Sequence, residues 1–121
     1  MLIDIQNIHW TDIAIVLSED IEIHNGQEAL DLLMNCAYQW ARKIIVYEKN
    51  IIPEFFSLQT GIAGDVLQKV VNYDFWISII GEYEKFESNS LKDFIYESNK
   101  GWRVSFVNSL EEATKKLLES V

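Results

Sequence analysis

Apolar residues recur along the chain with two different periods, and the changes between them predict the order of strands and helices. Residues 2–8 alternate apolar and polar positions, and residues 12–18 are rich in β-branched residues, so both are predicted strands. Their short separation predicts an antiparallel hairpin. Three later segments, 43–48, 75–81 and 102–108, are short and largely apolar, which is typical of strands buried in a parallel sheet.

Four segments with helical periodicity fill the remaining intervals. Each begins with Asn, Thr or Ser, residues that are preferred as N-caps, and the predicted starts are Asn25, Thr60, Ser90 and Ser109. Three of the starts have an acidic residue three positions later, the spacing of a capping box: Glu28, Asp93 and Glu112. Gly101 is predicted to end the third helix in the left-handed conformation.

The resulting order, ββαβαβαβα, predicts an α/β fold with a mixed five-stranded sheet. Strands separated by single helices favour parallel crossovers, and the first hairpin adds an antiparallel edge. No linker, repeat or low-complexity segment divides residues 1–121, so we expect one domain.

Composition and charge narrow the possible partners and the location. The net charge of −9 disfavours nucleic acid, whose phosphates need basic side chains. No run of 18 apolar residues could span a membrane, and the first residues do not resemble a signal peptide. The single cysteine, Cys36, lies on the apolar face of the first helix, where we expect it to be buried. These features predict a cytoplasmic protein without a membrane partner.

Two blocks of the sequence, EFFSLQTGIAGDVLQKVVNY and SLKDFIYESNKG, together with a strand ending in FVNS, resemble a bacterial family known as domain of unknown function 4180. The resemblance covers residues 2–118. That family has no established activity, so the resemblance implies a small stand-alone bacterial protein and no particular mechanism.

The order of elements also resembles the STAS fold of anti-sigma-factor antagonists. In that family an acidic residue ends a strand, and a Ser-Gly-Leu sequence opens the next helix with a serine that a partner kinase phosphorylates. Here Glu48 ends the strand, and Thr60-Gly61-Ile62 corresponds to Ser-Gly-Leu, whereas Gln59 replaces the usual aspartate. The resemblance implies a non-enzymatic regulatory or protein-interaction domain.

The helix start at Thr60 is the candidate functional site because Ala63 replaces the acidic residue found at the other three starts. Uncovered amide groups at a helix N-terminus suit an anion or a phosphoryl group on Thr60 itself. The predicted anion, partner or phospho-acceptor site comprises Ser57, Gln59, Thr60, Gly61 and Gly64. Alternatively, threonine is an ordinary cap here, the two glycines permit close packing, and Asp65 supplies the missing negative charge.

Other residue patterns give weaker indications of function. The two histidines, His9 and His24, lack the spacing of a metal site, so we expect no metal, cofactor or catalytic set. The four tryptophans are expected to pack in the fold, and the alternative for Trp10 and Trp40 is partial exposure as interaction residues. Glu82, Glu84 and Glu87 are expected to form a solvated loop. The open alternatives are therefore a protein-interaction domain, an anion-binding protein or enzyme using Thr60-Gly61, and a homodimer without a ligand.

Overall fold

The computed structural model describes residues 2–120, which form a five-stranded sheet and four α-helices. The strands are β1 (Ile3–Ile8), β2 (Thr11–Val16), β3 (Lys43–Tyr47), β4 (Trp76–Ile80) and β5 (Val104–Val107). The helices are α1 (Gly26–Tyr38), α2 (Ile62–Asn72), α3 (Asn89–Gly101) and α4 (Leu110–Glu119). The predicted α/β order is confirmed.

The strands lie in the sheet in their sequence order, β1-β2-β3-β4-β5. Strand β1 is antiparallel to β2, whereas β2, β3, β4 and β5 are mutually parallel, so the predicted mixed sheet with an antiparallel edge is also confirmed. Each parallel connection passes to the next strand in the same direction across the sheet. Because such crossovers are right-handed as a rule, their helices α1, α2 and α3 lie on the same face of the sheet.

The helices cover the two faces unequally. Helices α1, α2 and α3 share the larger core with one row of strand residues, which includes Ile44, Ile77 and Val104. Helix α4 packs on the opposite face, where Ala113 and Leu117 join the smaller core. On that face the buried hydroxyl groups of Ser78 and Ser105 hydrogen-bond to each other across β4 and β5, which satisfies both.

Two of the predicted helix starts are confirmed by side-chain hydrogen bonds. Asn25 accepts a bond from the backbone N–H of Glu28, and Ser109 accepts one from the N–H of Glu112. The Glu28 carboxylate bonds to the N–H of His24, one residue before the cap, and to the His24 ring. These bonds lower the pKa of Glu28.

The predicted ends of the third helix are both wrong by one or two residues. Ser88, and not Ser90, is the N-cap, and its hydroxyl accepts a bond from the N–H of Leu91. Residues 88–90 all have cap-forming side chains, so burial of Leu91 in the core selects among them. At the other end α3 includes Gly101, and Trp102 adopts the left-handed conformation with φ of 67°.

The connection between β3 and α2 contains three short 3₁₀ turns, Glu48–Asn50, Pro53–Phe56 and Leu58–Thr60. The side-chain amide of the fully buried Asn50 donates to the carbonyl oxygens of Ser18 and Asp20, both at 2.9 Å, and its Oδ1 accepts from the N–H of Tyr47. These bonds fix the segment after β2 beside the end of β3.

Candidate functional site

The five residues of the predicted site lie together where the last 3₁₀ turn meets α2, but Thr60 is not the cap. The N-cap of α2 is Gly61, with φ of 79°, and no side chain caps the helix. The Thr60 hydroxyl points back into the preceding turns, 2.9 Å from the carbonyl oxygen of Ser57 and 3.0 Å from that of Glu54. The prediction that Thr60 is the N-cap is therefore wrong, because Gly61 occupies that position. The Thr60 oxygen nevertheless accepts a long bond, 3.3 Å, from the N–H of Ile62, the first residue of α2.

The space around the two glycines contradicts the packing alternative. Among residues 2–120, no other side chain or chain segment lies within 4 Å of the position that a Cβ atom would take on Gly61 or Gly64. Gly61 instead adopts a positive φ, a conformation in which glycine is less strained than residues with a side chain. Thr60 and Gln59 are exposed and Ser57 is half-buried. That this helix start receives an anion, a partner or a phosphoryl group stays a prediction.

Asp65 was predicted to supply negative charge at the start of α2, but its carboxylate lies at the start of α1. A Cβ atom on Gly26 would overlap the Asp65 carboxylate, which places that carboxylate beside the first residue of α1. It also pairs with Lys69 at 3.0 Å. Because helix N-termini favour negative charge, Asp65 stabilises the start of α1.

A second group of exposed residues lies at the amino ends of the parallel strands, and the sequence predicted only part of it. We call this surface the amino edge, comprising the turns that lead into β2, β3, β4 and β5. Its aromatic residues are Trp10, Tyr38, Trp40, Tyr73 and Trp102, with exposures of 97% for Trp10, 88% for Tyr38 and 85% for Trp40. Trp10 and Trp40 are thus exposed, which contradicts the expectation that they pack and agrees with the alternative given for these two residues.

The backbone of the amino edge is unusual at the same positions. Trp10, Trp40, Asp74 and Trp102 have φ between 65° and 69°, in the left-handed region. This conformation costs a residue with a Cβ atom about 1–2 kcal/mol, and glycine or asparagine would avoid most of that cost. Three bulky tryptophans at such turns therefore add strain as well as exposed apolar area to the folded chain.

Arginine side chains tie neighbouring turns of the amino edge together. Arg42 Nη1 donates to the carbonyl oxygen of Tyr73 at 2.9 Å, and Arg103 forms an ion pair with Asp74 at 3.1 Å. The Arg103 guanidinium also lies 4.2 Å from the centre of the Trp76 ring, a cation–π contact. These contacts hold the turns before β3, β4 and β5 in a fixed arrangement.

The amino edge also carries basic side chains. It holds both arginines of this acidic chain, together with Lys43 at the start of β3. Lys43 Nζ donates to the carbonyl oxygens of Leu117 and Ser120 at the end of α4, and burial lowers its pKa. Within residues 2–120 Arg42 forms no ion pair, and its guanidinium instead donates to the carbonyl oxygens of Tyr73 and Asp74 and lies 4.8 Å from the centre of the Phe75 ring.

Comparison with known proteins identifies the family. The model of the domain of unknown function DUF4180 matches residues 8–117. The chain belongs to this family. The matched span of this DUF4180 domain includes every aromatic residue of the amino edge and the start of α2. No curated protein and no solved structure shows a significant match.

The other ionisable and reactive side chains singled out from the sequence of this DUF4180 domain are either buried or exposed. Cys36 is buried, as predicted, and burial raises its pKa from 9.0 to about 12. Glu82, Glu84 and Glu87 are exposed. Among the described residues no group of three histidine, cysteine or acidic side chains could hold a metal ion. No helix within residues 2–120 is long and apolar enough to cross a membrane.

The sequence analysis missed Tyr38, Tyr73, Asp74 and Trp102 as members of the amino edge. One signal was available, since each lies near the junction of a predicted helix with the next predicted strand. In a parallel sheet all such positions lie at one edge. What the sequence could not show is that the edge stays uncovered, because exposure depends on where α4 and the loops pack.

Proposed function

We propose that this DUF4180 domain is a non-enzymatic protein-interaction domain of STAS-like architecture that binds a partner protein through its amino edge. The observation that supports this most directly is the near-complete exposure of Trp10 and Trp40. Large aromatic residues dominate binding energy at protein interfaces. Contiguous exposed apolar surface on a monomer is a feature of interaction sites.

The area available at the amino edge is sufficient for a specific interface. Five aromatic side chains at their measured exposures present roughly 700 Å² of surface. A standard interface buries about 800 Å² on each partner. The fixed arrangement set by Arg42 and Arg103 reduces the entropy that binding would cost.

The positive charge of the amino edge indicates which kind of partner protein would bind there. Arg42, a cation of this edge without a carboxylate partner among the described residues, would add like charge to both sides of a symmetric dimer formed through the edge. An apolar patch bordered by acidic side chains would instead pair with this charge. We therefore infer that the partner is a different protein with an acidic rim around its apolar contact surface.

Binding of the partner should depend on the two most exposed tryptophans. Proteins of the native cell would be photo-crosslinked to the full chain through a probe placed at Gln39, and the captured protein would then be purified for titration. We expect the Trp10→Ala/Trp40→Ala double variant to bind it at least about thirtyfold more weakly, the loss expected for hot-spot residues. Higher salt should weaken binding by the wild type.

A matched control and two alternative outcomes complete this test. Tyr96→Ala removes an exposed aromatic side chain of α3 outside the amino edge, and binding should stay within about twofold of wild type. Equal binding by the double variant would contradict the proposal. So would a wild-type dimer in sedimentation that the double variant abolishes, since the edge would then bind a second copy, or nuclease-sensitive capture of RNA.

A further inference from the structure

A cavity of about 420 Å³ lies at the opposite edge of the sheet, at the carboxyl ends of the parallel strands. Segments that follow β2, β3 and β4 form its walls. Its lining residues are Ile21, Glu48, Lys49, Ile51, Pro53, Phe56, Lys85 and Phe86. Ligands of open α/β sheets bind at the carboxyl ends of strands, and small-molecule sites commonly have volumes of about 300–1,000 Å³.

Glu48 is the one carboxylate in this lining, and it is held in a fixed position. Its side chain is 19% exposed. One oxygen accepts a bond from the N–H of Glu82 at 3.2 Å, and the other pairs with Lys85 at 2.6 Å. Because Gly81 has no side chain, Glu48 packs directly against the backbone there. The carboxylate thus stands oriented at the wall of an otherwise largely apolar cavity.

Lys85 shows how this cavity accommodates a cation. Its ammonium group contacts the Glu48 carboxylate and lies 5.3 Å from the centre of the Phe86 ring. Phe86 is stacked on Phe56, with ring centres 4.9 Å apart. A carboxylate beside aromatic faces is the combination that recognises ammonium groups in ligands. The Lys85 side chain is 54% exposed, so it can leave at small cost.

We propose that this cavity binds a small amphipathic ammonium compound, in which an apolar or aromatic body carries one positive charge. The ammonium group takes the place of the Lys85 ammonium on Glu48, and the body packs against Phe56, Phe86 and Ile51. The net charge of −9 favours a cationic ligand over an anionic one. Lys49 does not reverse this preference, because it is paired with Glu19.

Two probes that differ mainly in the sign of their charge test the proposal. Phenethylamine and 3-phenylpropionate would each be titrated into the full chain while the backbone amide signals of Glu82 and Phe86 are followed by NMR. We expect saturable shifts with phenethylamine only. Glu48→Gln keeps an oxygen acceptor for the Glu82 N–H and should weaken amine binding by at least about tenfold. Lys85→Gln should strengthen it, because the internal competitor is gone.

A bulky substitution in the cavity wall tests the location of the binding site without changing its charge. Ile21→Trp adds bulk to the cavity wall and should abolish amine binding, whereas Leu17→Trp, at an exposed position outside the lining, should leave it unchanged. Thermal unfolding would confirm that each variant is folded. Tighter binding of the acid probe, binding of neither probe at millimolar concentration, or amine binding that survives both Glu48→Gln and Ile21→Trp would overturn the proposal.

Discussion

Asn50 shows how one buried polar side chain determines the course of a long connection. Its amide group and backbone carbonyl bond to residues 18–23, and Ile51 forms an isolated parallel bridge with Ile23. The sequence marks this position only as an asparagine after a strand. Its importance comes from full burial, which makes every one of its hydrogen bonds costly to lose.

We expect Asn50→Ala to lower the free energy of unfolding by about 2–3 kcal/mol. The substitution leaves the carbonyl groups of Ser18 and Asp20 and the N–H of Tyr47 without their partners in a partly buried environment. Urea unfolding followed by circular dichroism would measure the change. Asn35→Ala, at an exposed position of α1, is the matched control and should change stability by less than about 0.5 kcal/mol.

Cys36 should make stability fall at alkaline pH. Its pKa is about 12 in the folded chain and near 9.0 when exposed, so between these values the unfolded chain releases a proton that the folded chain keeps. The unfolded state then binds fewer protons, and the free energy of unfolding decreases as the pH rises. Urea unfolding between pH 8 and pH 11 should show a steeper decrease for wild type than for Cys36→Ala.

The same burial should protect the thiol from reagents at neutral pH. Labelling of native protein should proceed only as fast as the chain opens, and labelling in urea should be immediate. Rapid labelling of the native chain would show that Cys36 is accessible.

At the scale of elements, the start of α1 is in contact with a side chain of α2. Helices α1 and α2 pack against each other, and the Asp65 carboxylate of α2 occupies the space where a side chain on the first residue of α1 would begin. We expect Gly26→Ala to destabilise the fold by up to about 1 kcal/mol, because its Cβ atom would displace the Asp65 carboxylate from the N-terminus of α1. Asp65→Ala should relieve most of this cost in the double variant, which a double-mutant cycle would detect.

Gly64→Ala provides the contrasting case within α2. The Cβ position there is open, so the substitution should stabilise the helix by up to about 1 kcal/mol through propensity alone. Thermal and urea unfolding of Gly26→Ala and Gly64→Ala would measure both changes in stability. Marked destabilisation by Gly64→Ala would restore the packing role that the sequence suggested.

Thr60 should contribute to stability through the 3₁₀ turns before α2. Removing its hydroxyl in Thr60→Ala loses the bonds to Ser57 and Glu54 and should cost about 1 kcal/mol. Gln59→Ala, next to it and exposed, should cost less than about 0.5 kcal/mol. Urea unfolding of both variants would measure the difference, and equal stability would show that the Thr60 bonds contribute nothing.

At the scale of the whole molecule, the two edges of the sheet present different surfaces. The amino edge carries exposed aromatic residues and cations, and the carboxyl edge carries the cavity with Glu48. Three of the four tryptophans belong to the amino edge, so acrylamide should quench most of the native fluorescence. Trp10→Ala/Trp40→Ala should remove most of the quenchable emission without lowering stability, as expected for exposed side chains. Strong protection of the wild-type emission would show that the edge is covered.

The sequence by itself determined the order of elements, the mixed sheet and the burial of Cys36. Hydrophobic periodicity and capping residues are local properties, and each acts within a few positions of the chain. Asn25 and Ser109 were found for this reason. The start of α3 was misplaced because Ser88, Asn89 and Ser90 can all cap, and local chemistry does not choose among them.

Only the tertiary structure decided which surfaces stay open and which side chains meet. Trp102 and Tyr73 are separated from Trp10 by more than 60 residues, and they share one edge because parallel strands align their amino ends. Glu48 and Lys85 meet for the corresponding reason at the other edge. Thr60 is not the N-cap, because the preceding 3₁₀ turn places Gly61 at that position. Contacts of this kind depend on how distant segments pack, and no local pattern encodes them.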